Sequence, residues 1–198
     1  MMLQRTATIT RKTTETSVAL QVNLDGTGLV NLQTGIPFFD HMLTLWARHG
    51  YFDLTLDVQG DLEVDAHHTV EDSGICLGQA VRQALGEGRG IARYASGLIP
   101  MDEALCQVAI DVSGRSLLSF DVPLPKSKIG EFDVELLEEF FRSFVMHAGL
   151  TVHIKQLAGS NLHHILESCF KALGVVLSKA VYIDPQRRET IPSTKGIL

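Results

Sequence analysis

The chain has 198 residues, of which 45% are hydrophobic and 20% are charged, as in an ordinary soluble globular protein. Its formal net charge of -6, without any block of lysine or arginine, argues against nucleic acid or an anionic membrane as a partner. We predict a cytoplasmic protein with reduced thiols, because its three cysteines lie in apolar patterns. The N-terminal stretch over residues 1–10 is polar, unlike a secretion signal, and no apolar run approaches the ~20 residues that span a bilayer.

The first part of the chain predicts a small sheet. Strands are expected over residues 5–11, 16–24 and 29–32, and the second of these alternates apolar with smaller or polar residues, which is the period of a strand. The segment 25–28, Asp-Gly-Thr-Gly, is typical of a hairpin turn between two strands.

Two helices are predicted next, with a strand between them. Pro37 suits the first turn of a helix whose apolar spacing ends near Gly50. A strand is expected over residues 53–59, and a long helix over 66–85 is stopped by a run of glycines.

The second half of the chain repeats this plan. Residues 15–26 align with residues 103–114 without a gap, apolar position on apolar position, which indicates an internal duplication. With only small length changes, the alignment continues by pairing His41 with Glu139, His49 with His147, His67-His68 with His163-His164, and Gly78 with Gly174. We therefore predict an α+β fold: a duplicated strand-strand-helix-strand-helix unit, residues 1–92 and 93–198, whose helices pack between two sheets in one compact body.

Two eight-residue windows at 65–72 and 161–168 each carry a His-His-x-x-Glu run. Each window opens with a residue suited to a helix N-cap, Asp65 or Asn161. On a helix, residues i and i+4 share a face, whereas adjacent residues diverge by roughly 100°, so adjacent histidines suit two different metal ions. A single His-His pair on the first turn of a helix more often has no ligand role than binds a metal, but two copies in register favour a metal protein.

Imidazoles and carboxylates from both repeats form the predicted ligand set. The eight candidate ligands are His41, His67, His68, Glu71, Glu139, His163, His164 and Glu167. Because the set mixes imidazoles with carboxylates and contains no cysteine, it indicates Mn, Fe or Zn rather than a closed structural zinc site. Such a metal would keep open coordination positions for substrate or water, which indicates catalysis.

A second group of polar residues has the composition of an anion clamp. Its members are Arg93, Arg115, Lys171 and the run Ser193-Thr194-Lys195. Each alone is more often a solvated surface charge, but together they fit a phosphate. Glu15 is a further candidate, because it opens the repeated strand.

Four motifs carry a resemblance to a known family: residues 38–43 (Phe-Phe-Asp-His-Met-Leu), 65–72, His163-His164 with Glu167, and 191–196 (Ile-Pro-Ser-Thr-Lys-Gly). Over nearly its whole length the chain resembles the imidazoleglycerol-phosphate dehydratases of histidine biosynthesis. The resemblance implies a monofunctional hydro-lyase that converts imidazole glycerol phosphate to imidazole acetol phosphate. It also implies two Mn²⁺ per subunit and a homo-oligomer, a 24-mer, with metal sites shared between subunits.

The resemblance places the family's metal ligands on the residues given above, except that Glu139 stands where many members have histidine; glutamate can still ligate Mn²⁺, so it is kept in the set. The second departure is Thr44-Leu45, where many members have Asp-Gln, so a polar contact to the phosphate region is expected to be missing. The family's substrate contacts fall on Glu15, His49, Arg93, Arg115, Lys171, Ser193 and Lys195.

The reaction needs help from the substrate's ring, because the proton to be removed has no neighbouring carbonyl to acidify it. If both ring nitrogens bind metal, the ring becomes imidazolate-like and expels the adjacent hydroxyl through a diazafulvene-type intermediate. Either Glu167 or Glu15 is then the catalytic base. Two alternatives are a metal-dependent hydrolase and a shell in which the ions only join subunits.

Overall fold

A computed structural model describes residues 5–198 of the chain; residues 1–4, part of the N-terminal stretch 1–10 that we expected to be too polar for a secretion signal, lie outside the described residues. The first half consists of β1 (Thr6–Lys12), β2 (Thr16–Asn23), β3 (Val30–Gln33), α1 (Pro37–Gly50), β4 (Asp53–Gly60) and α2 (His67–Leu85). The second half consists of β5 (Tyr94–Met101), β6 (Ala104–Asp111), β7 (Leu117–Asp121), β8 (Lys128–Ile129), β9 (Phe132–Asp133), α3 (Leu136–Ala148), β10 (Thr151–Ala158) and α4 (Leu162–Ala180).

The two halves form four-stranded sheets of the same topology. The strand orders are β1-β2-β4-β3 and β5-β6-β10-β7, so each strand of the first sheet has a counterpart at the same place in the second. In each sheet the last pair, β4 with β3 and β10 with β7, is parallel, and the other pairs are antiparallel. The predicted α+β duplication is confirmed.

The helices lie between the sheets and pack across the repeats. Buried and exposed residues alternate along β2 and β6, so each sheet turns one apolar face inward. The long helix of each half covers its own sheet, while α2 packs on α3 and α1 packs on α4. Each helix pair therefore joins the two repeats.

Two glycines allow this close packing of the helices. A methyl group on Gly174 of α4 would collide with the carbonyl oxygen of Trp46 in α1. A methyl group on Gly78 of α2 would collide with the carbonyl oxygen of Phe144 in α3. The two glycines that the sequence aligned thus hold equivalent places at the two helix crossings.

The predicted hairpin at residues 25–28 is wrong, because β2 and β3 are not neighbours in the sheet. Asp53, the first residue of β4, accepts hydrogen bonds from the backbone N–H groups of Thr27 (2.8 Å) and Leu29 (3.0 Å). These bonds carry the chain across the end of β4, so β3 pairs with β4 in parallel instead of turning back on β2.

The second half contains an insertion larger than the small length changes we expected. The segment between β7 and α3 contains the hairpin β8–β9, whereas only residues 34–36 separate β3 from α1. Phe132 of β9 is buried, and its ring lies 5.4 Å from that of Phe38 and 6.3 Å from that of Phe39. The insertion therefore adds to the core beside the start of α1.

The helix starts differ between the two His-His windows. Asn161 is the N-cap of α4, as predicted, and its side chain accepts a hydrogen bond from the N–H of His163 (3.0 Å). At α2 the N-cap is Ala66, which is already helical, so the prediction of Asp65 is wrong by one residue. Asp65 still accepts the N–H of His67 (2.7 Å), which satisfies one free donor of the first turn. Within residues 5–198, none of the helices is long and apolar enough to cross a membrane.

Candidate metal centre and substrate site

Three predicted ligands converge where α1 meets α4. His41 lies on α1, His163 and Glu167 lie one turn apart on α4, and their donor atoms all lie within 4.8 Å of one another. The Oε1 atom of Glu167 is 2.9 Å from Nε2 of His41 and 3.1 Å from Nε2 of His163. Since α1 and α4 come from different repeats, the packing of one repeat on the other forms this group.

Neighbouring residues hold the start of α1, which carries His41, and contact the ring of His163. Asp40, which precedes His41, accepts hydrogen bonds from the backbone N–H (3.2 Å) and the hydroxyl (2.7 Å) of Thr34, so the link between β3 and α1 is tied down. The ring of Phe38 meets the ring of His163 edge to face at 5.4 Å. Thr44, one of the departures from the family pattern, donates its hydroxyl to the carbonyl of Asp40 within the helix (2.8 Å).

Glu167 is the electrostatic centre of the group. It is only 7% exposed, and Nζ of Lys171 donates to its Oε2 at 2.6 Å. Burial favours the neutral acid, but the hydrogen bonds from Lys171 and His41 outweigh it and lower the pKa of Glu167 to about 2. Lys171 also contacts Sδ of Met101 (3.0 Å). Burial and the charge of Lys171 lower the pKa of His49, against the effect of Glu167.

The converging donors suit a divalent ion. Two imidazole nitrogens and one carboxylate oxygen, with no thiolate, form the kind of set that Mn, Fe and Zn accept. Over the described range 5–198, this is the one group of three or more His, Cys, Asp or Glu whose donor atoms converge in this way.

The other five predicted ligands do not join this group. Nε2 of His67 lies 4.0 Å from Oε2 of Glu71, as the i, i+4 spacing predicts. Oε2 of Glu139 lies 3.9 Å from Nε of Arg142 on the next turn of α3. The planes of adjacent imidazoles are nearly perpendicular, at 87° for His67 with His68 and 79° for His163 with His164, and their ring centroids lie 6.0 and 6.4 Å apart.

His68 and His164, the second histidines of the two windows, have carboxylate partners that the sequence did not reveal. Nδ1 of His68 lies 3.0 Å from Asp61, and Nδ1 of His164 lies 2.7 Å from Glu103. These hydrogen bonds raise the pKa of both imidazoles, and the one to His164 lowers the pKa of Glu103 to about 2. In the sequence, Glu103 was notable only as the counterpart of Glu15. Nothing in the sequence pointed to Asp61, because the position of Asp61 depends on how the segment between β4 and α2 folds.

Five residues of the predicted anion clamp line one open cavity of about 660 Å³. They are Arg93, Arg115, Ser193, Thr194 and Lys195. Arg93 is also bound to Asp111, with Nε 2.8 Å from Oδ1, and it donates to the carbonyl of Pro192 (2.8 Å), so it joins the C-terminal segment to β6. Lys171 does not line this cavity and is paired with Glu167 instead.

Residues 34–177 match the family model described as imidazoleglycerol-phosphate dehydratase. The chain belongs to this family. It is 60% identical over 194 residues to the imidazoleglycerol-phosphate dehydratase of Rhodopseudomonas palustris, with 98% of each chain covered. The crystal structure of the Staphylococcus aureus dehydratase superimposes with a TM-score of 0.82 at 38% identity, covering 90% of this chain and 99% of that one. The structure from Pyrococcus furiosus gives 0.82 at 35% identity, covering 96% and 100%.

Membership in the family makes the protein a hydro-lyase of histidine biosynthesis. A dehydratase eliminates water from its substrate, whereas a hydrolase uses water as a nucleophile, so the family disfavours the hydrolase alternative. It also disfavours a shell whose ions serve only to join subunits.

Proposed function

We propose that the protein removes water from D-erythro-imidazole-glycerol 3-phosphate to give imidazole acetol phosphate, and that it does so with two Mn²⁺ per subunit. The observation that carries the proposal is the convergence of His41, His163 and Glu167 at the crossing of α1 and α4. When bound, the metal supplies Lewis acidity at the nitrogens of the substrate's imidazole ring, which makes the ring a better source of electrons for expelling the adjacent hydroxyl.

The metal sites are completed by further copies of the chain. A single chain brings together three of the eight predicted ligands, and His67, His68, Glu71, Glu139 and His164 lie apart from that group. Ligands left open in this way suit sites shared between subunits, in a homo-oligomer of the 24-mer type that the resemblance implies.

Glu15 is the better candidate for the base. Both oxygens of Glu167 are already engaged, Oε1 by His41 and His163 and Oε2 by Lys171, so this residue serves to hold the metal and the lysine. The side chain of Glu15 is 52% exposed and lies 3.8 Å from Nε2 of His68. Its carboxylate takes the proton from the hydroxyl-bearing carbon of the substrate while the hydroxyl leaves the carbon next to the ring. The enol that results tautomerises to the ketone.

The cavity lined by Arg93, Arg115, Ser193 and Lys195 receives the phosphate. Arg115 and Lys195 supply charge, because guanidinium and ammonium groups are the usual partners of phosphate oxygens. Arg93 is hydrogen-bonded to Asp111 and to the carbonyl of Pro192, so its main contribution is to hold the C-terminal segment over the cavity.

A cytoplasmic location belongs to the same proposal. The three cysteines, Cys76, Cys106 and Cys169, are free and buried. Free thiols suit a reducing compartment.

The test is dehydration of imidazole glycerol phosphate by metal-stripped protein, before and after addition of Mn²⁺, with the mass of the assembly followed in the same samples. We expect turnover only with metal. Turnover by the stripped protein would overturn the role of the metal. Metal-dependent assembly without any turnover would overturn the proposed reaction.

A further inference from the structure

The two second histidines, His68 and His164, each use Nδ1 for a hydrogen bond with a carboxylate. For His68 the partner is Asp61, with its two oxygens 3.0 and 3.1 Å from Nδ1. For His164 the partner is Oε2 of Glu103, at 2.7 Å. In both cases Nε2 lies beyond hydrogen-bond distance of a carboxylate: Glu15 is 3.8 Å from Nε2 of His68, and Asp102 is 3.7 Å from Nε2 of His164.

A carboxylate in this position selects one form of the imidazole. An ionised carboxylate only accepts hydrogen bonds, so Nδ1 must carry a proton, and in the neutral ring the lone pair then lies on Nε2. A lone pair on Nε2 is what a metal ion requires, and a partner on Nδ1 also fixes the orientation of the ring and raises its basicity as a ligand.

The two carboxylates come from places that are not equivalent in the duplicated fold. Glu103 lies in the turn between β5 and β6 and aligns with Glu15 of the first repeat. Its Oε1 also accepts the backbone N–H groups of Ser160 (3.2 Å) and Asn161 (2.7 Å), so it ties this turn to the start of α4. Asp61 instead follows β4, within seven residues of His68.

This difference accounts for the different states of the two aligned glutamates. In the second repeat Glu103 is fully occupied by His164 and by the start of α4. In the first repeat Asp61 accepts the hydrogen bond from Nδ1 of His68, and Glu15 lies on the other side of the ring, 3.8 Å from Nε2.

We propose that Asp61 and Glu103 are positioning residues that direct Nε2 of His68 and His164 toward metal, and that the use of Asp61 in the first repeat leaves Glu15 free for the substrate. The inference rests on the proposed metal chemistry, but its test measures metal affinity and ring protonation directly. Its failure can therefore be told apart from a failure of the proposed reaction.

The first measurement is the Mn²⁺ affinity of the metal-stripped full-length chain, by titration with detection of free Mn²⁺ by electron paramagnetic resonance. Asp61→Asn and Glu103→Gln should each weaken binding by about 10- to 100-fold, the usual effect of losing such a partner. Both replacements keep an oxygen at the same place, so the N–H groups of Ser160 and Asn161 retain their acceptor. The matched control is Glu63→Gln, an exposed acid in the same turn as Asp61, which should keep the wild-type affinity. Glu15→Gln, at the aligned position, tests the division of roles and should lose less affinity than Glu103→Gln.

The second measurement needs no variant and therefore does not depend on whether a variant folds. Solid-state ¹⁵N nuclear magnetic resonance of the metal-free wild-type protein at alkaline pH should find the proton of both rings on Nδ1. A proton on Nε2, or wild-type affinity in both Asp61→Asn and Glu103→Gln, would overturn the proposal. A loss of affinity in Glu15→Gln equal to that in Glu103→Gln would overturn the division of roles between the two glutamates.

Discussion

Nε2 of His41 lies 2.9 Å from Oε1 of Glu167, although the two residues are 126 positions apart and belong to different repeats. The contact exists because α1 of the first half packs on α4 of the second. A metal bound there would contact both halves of the chain. Removing one ligand should lower the metal content more than it lowers the stability of the fold.

His41→Asn should lower Mn²⁺ affinity at least as much as the loss of a positioning partner does, by more than about 100-fold. The physical reason is that a direct donor is lost from a group of three. Metal content is measured after dialysis against a fixed concentration of free Mn²⁺, and His153→Asn, an exposed histidine on β10, is the control. Wild-type metal content in His41→Asn would contradict the assignment.

Glu15→Gln should lower kcat by on the order of 10² to 10⁴, the usual contribution of a general base, while leaving the metal content unchanged. Glu167→Gln should lower both kcat and the metal content, because Glu167 contacts two imidazoles and a lysine. Steady-state rates and metal analysis on the same preparations separate the two effects. If Glu15→Gln keeps full turnover, Glu15 is not the base.

Removal of residues 192–198, after Ile191, should raise KM sharply with a smaller effect on kcat, because Ser193 and Lys195 line the cavity assigned to the phosphate. For a single charged hydrogen bond, as in Lys195→Ala, a loss of about 1.5–3 kcal/mol corresponds to roughly a 10- to 100-fold change in KM. Lys126→Ala, an exposed lysine outside the cavity, serves as the control. An unchanged KM in the truncated protein would reject the phosphate assignment.

Gly174→Ala should destabilise the protein by about 1–3 kcal/mol, as overpacking of a core does. The added methyl group would meet the backbone of Trp46, and the only relief is to move α1 away from α4. Chemical denaturation measures the free energy of unfolding, with Lys179→Ala on the exposed side of the same helix for comparison. Because His41 would move with α1, metal affinity should fall in parallel with stability.

Asp53 should make stability depend on acid pH. Burial opposes its ionisation, but the N–H groups of Thr27 and Leu29 outweigh burial and lower the pKa of Asp53. A lowered pKa in the folded state means that stability is complete above the unfolded pKa of about 3.9 and is lost as the pH falls from there through the folded pKa.

The corresponding variant, Asp53→Asn, should cost about 1–2 kcal/mol at pH 7, and the difference from wild type should shrink below about pH 4. Denaturant titrations at pH 7 and pH 3.5 measure this difference, and Asp57→Asn, an exposed acid of the same strand, should change neither value. A deficit of the same size at both pH values would show that ionisation of Asp53 contributes nothing.

Much of the fold was predictable because hydrophobic spacing is local information. The alternation in β2, the helix periodicity of α1 and α2, and the alignment of residues 15–26 with 103–114 were enough to predict a duplicated α+β unit. The hairpin prediction at residues 25–28 failed because the local turn signal was outweighed by hydrogen bonds to Asp53, a residue distant in the sequence.

The candidate metal group was predicted from residue types, but its geometry was not. The i, i+4 rule placed His163 beside Glu167 without any structure. It could not bring His41 to the same point, since that depends on Gly174 allowing α1 and α4 to approach closely.

The sequence by itself determined the residue types of the site, the two helices that carry His-His-x-x-Glu, and the repetition of the unit. Local periodicity and helix geometry are sufficient for these features. The tertiary structure decided which of two equivalent acids is free. Glu103 is held by His164 and by the start of α4, while Asp61 takes that place at His68 and leaves Glu15 open. That distinction depends on contacts between elements far apart in the chain, which spacing along the sequence does not determine.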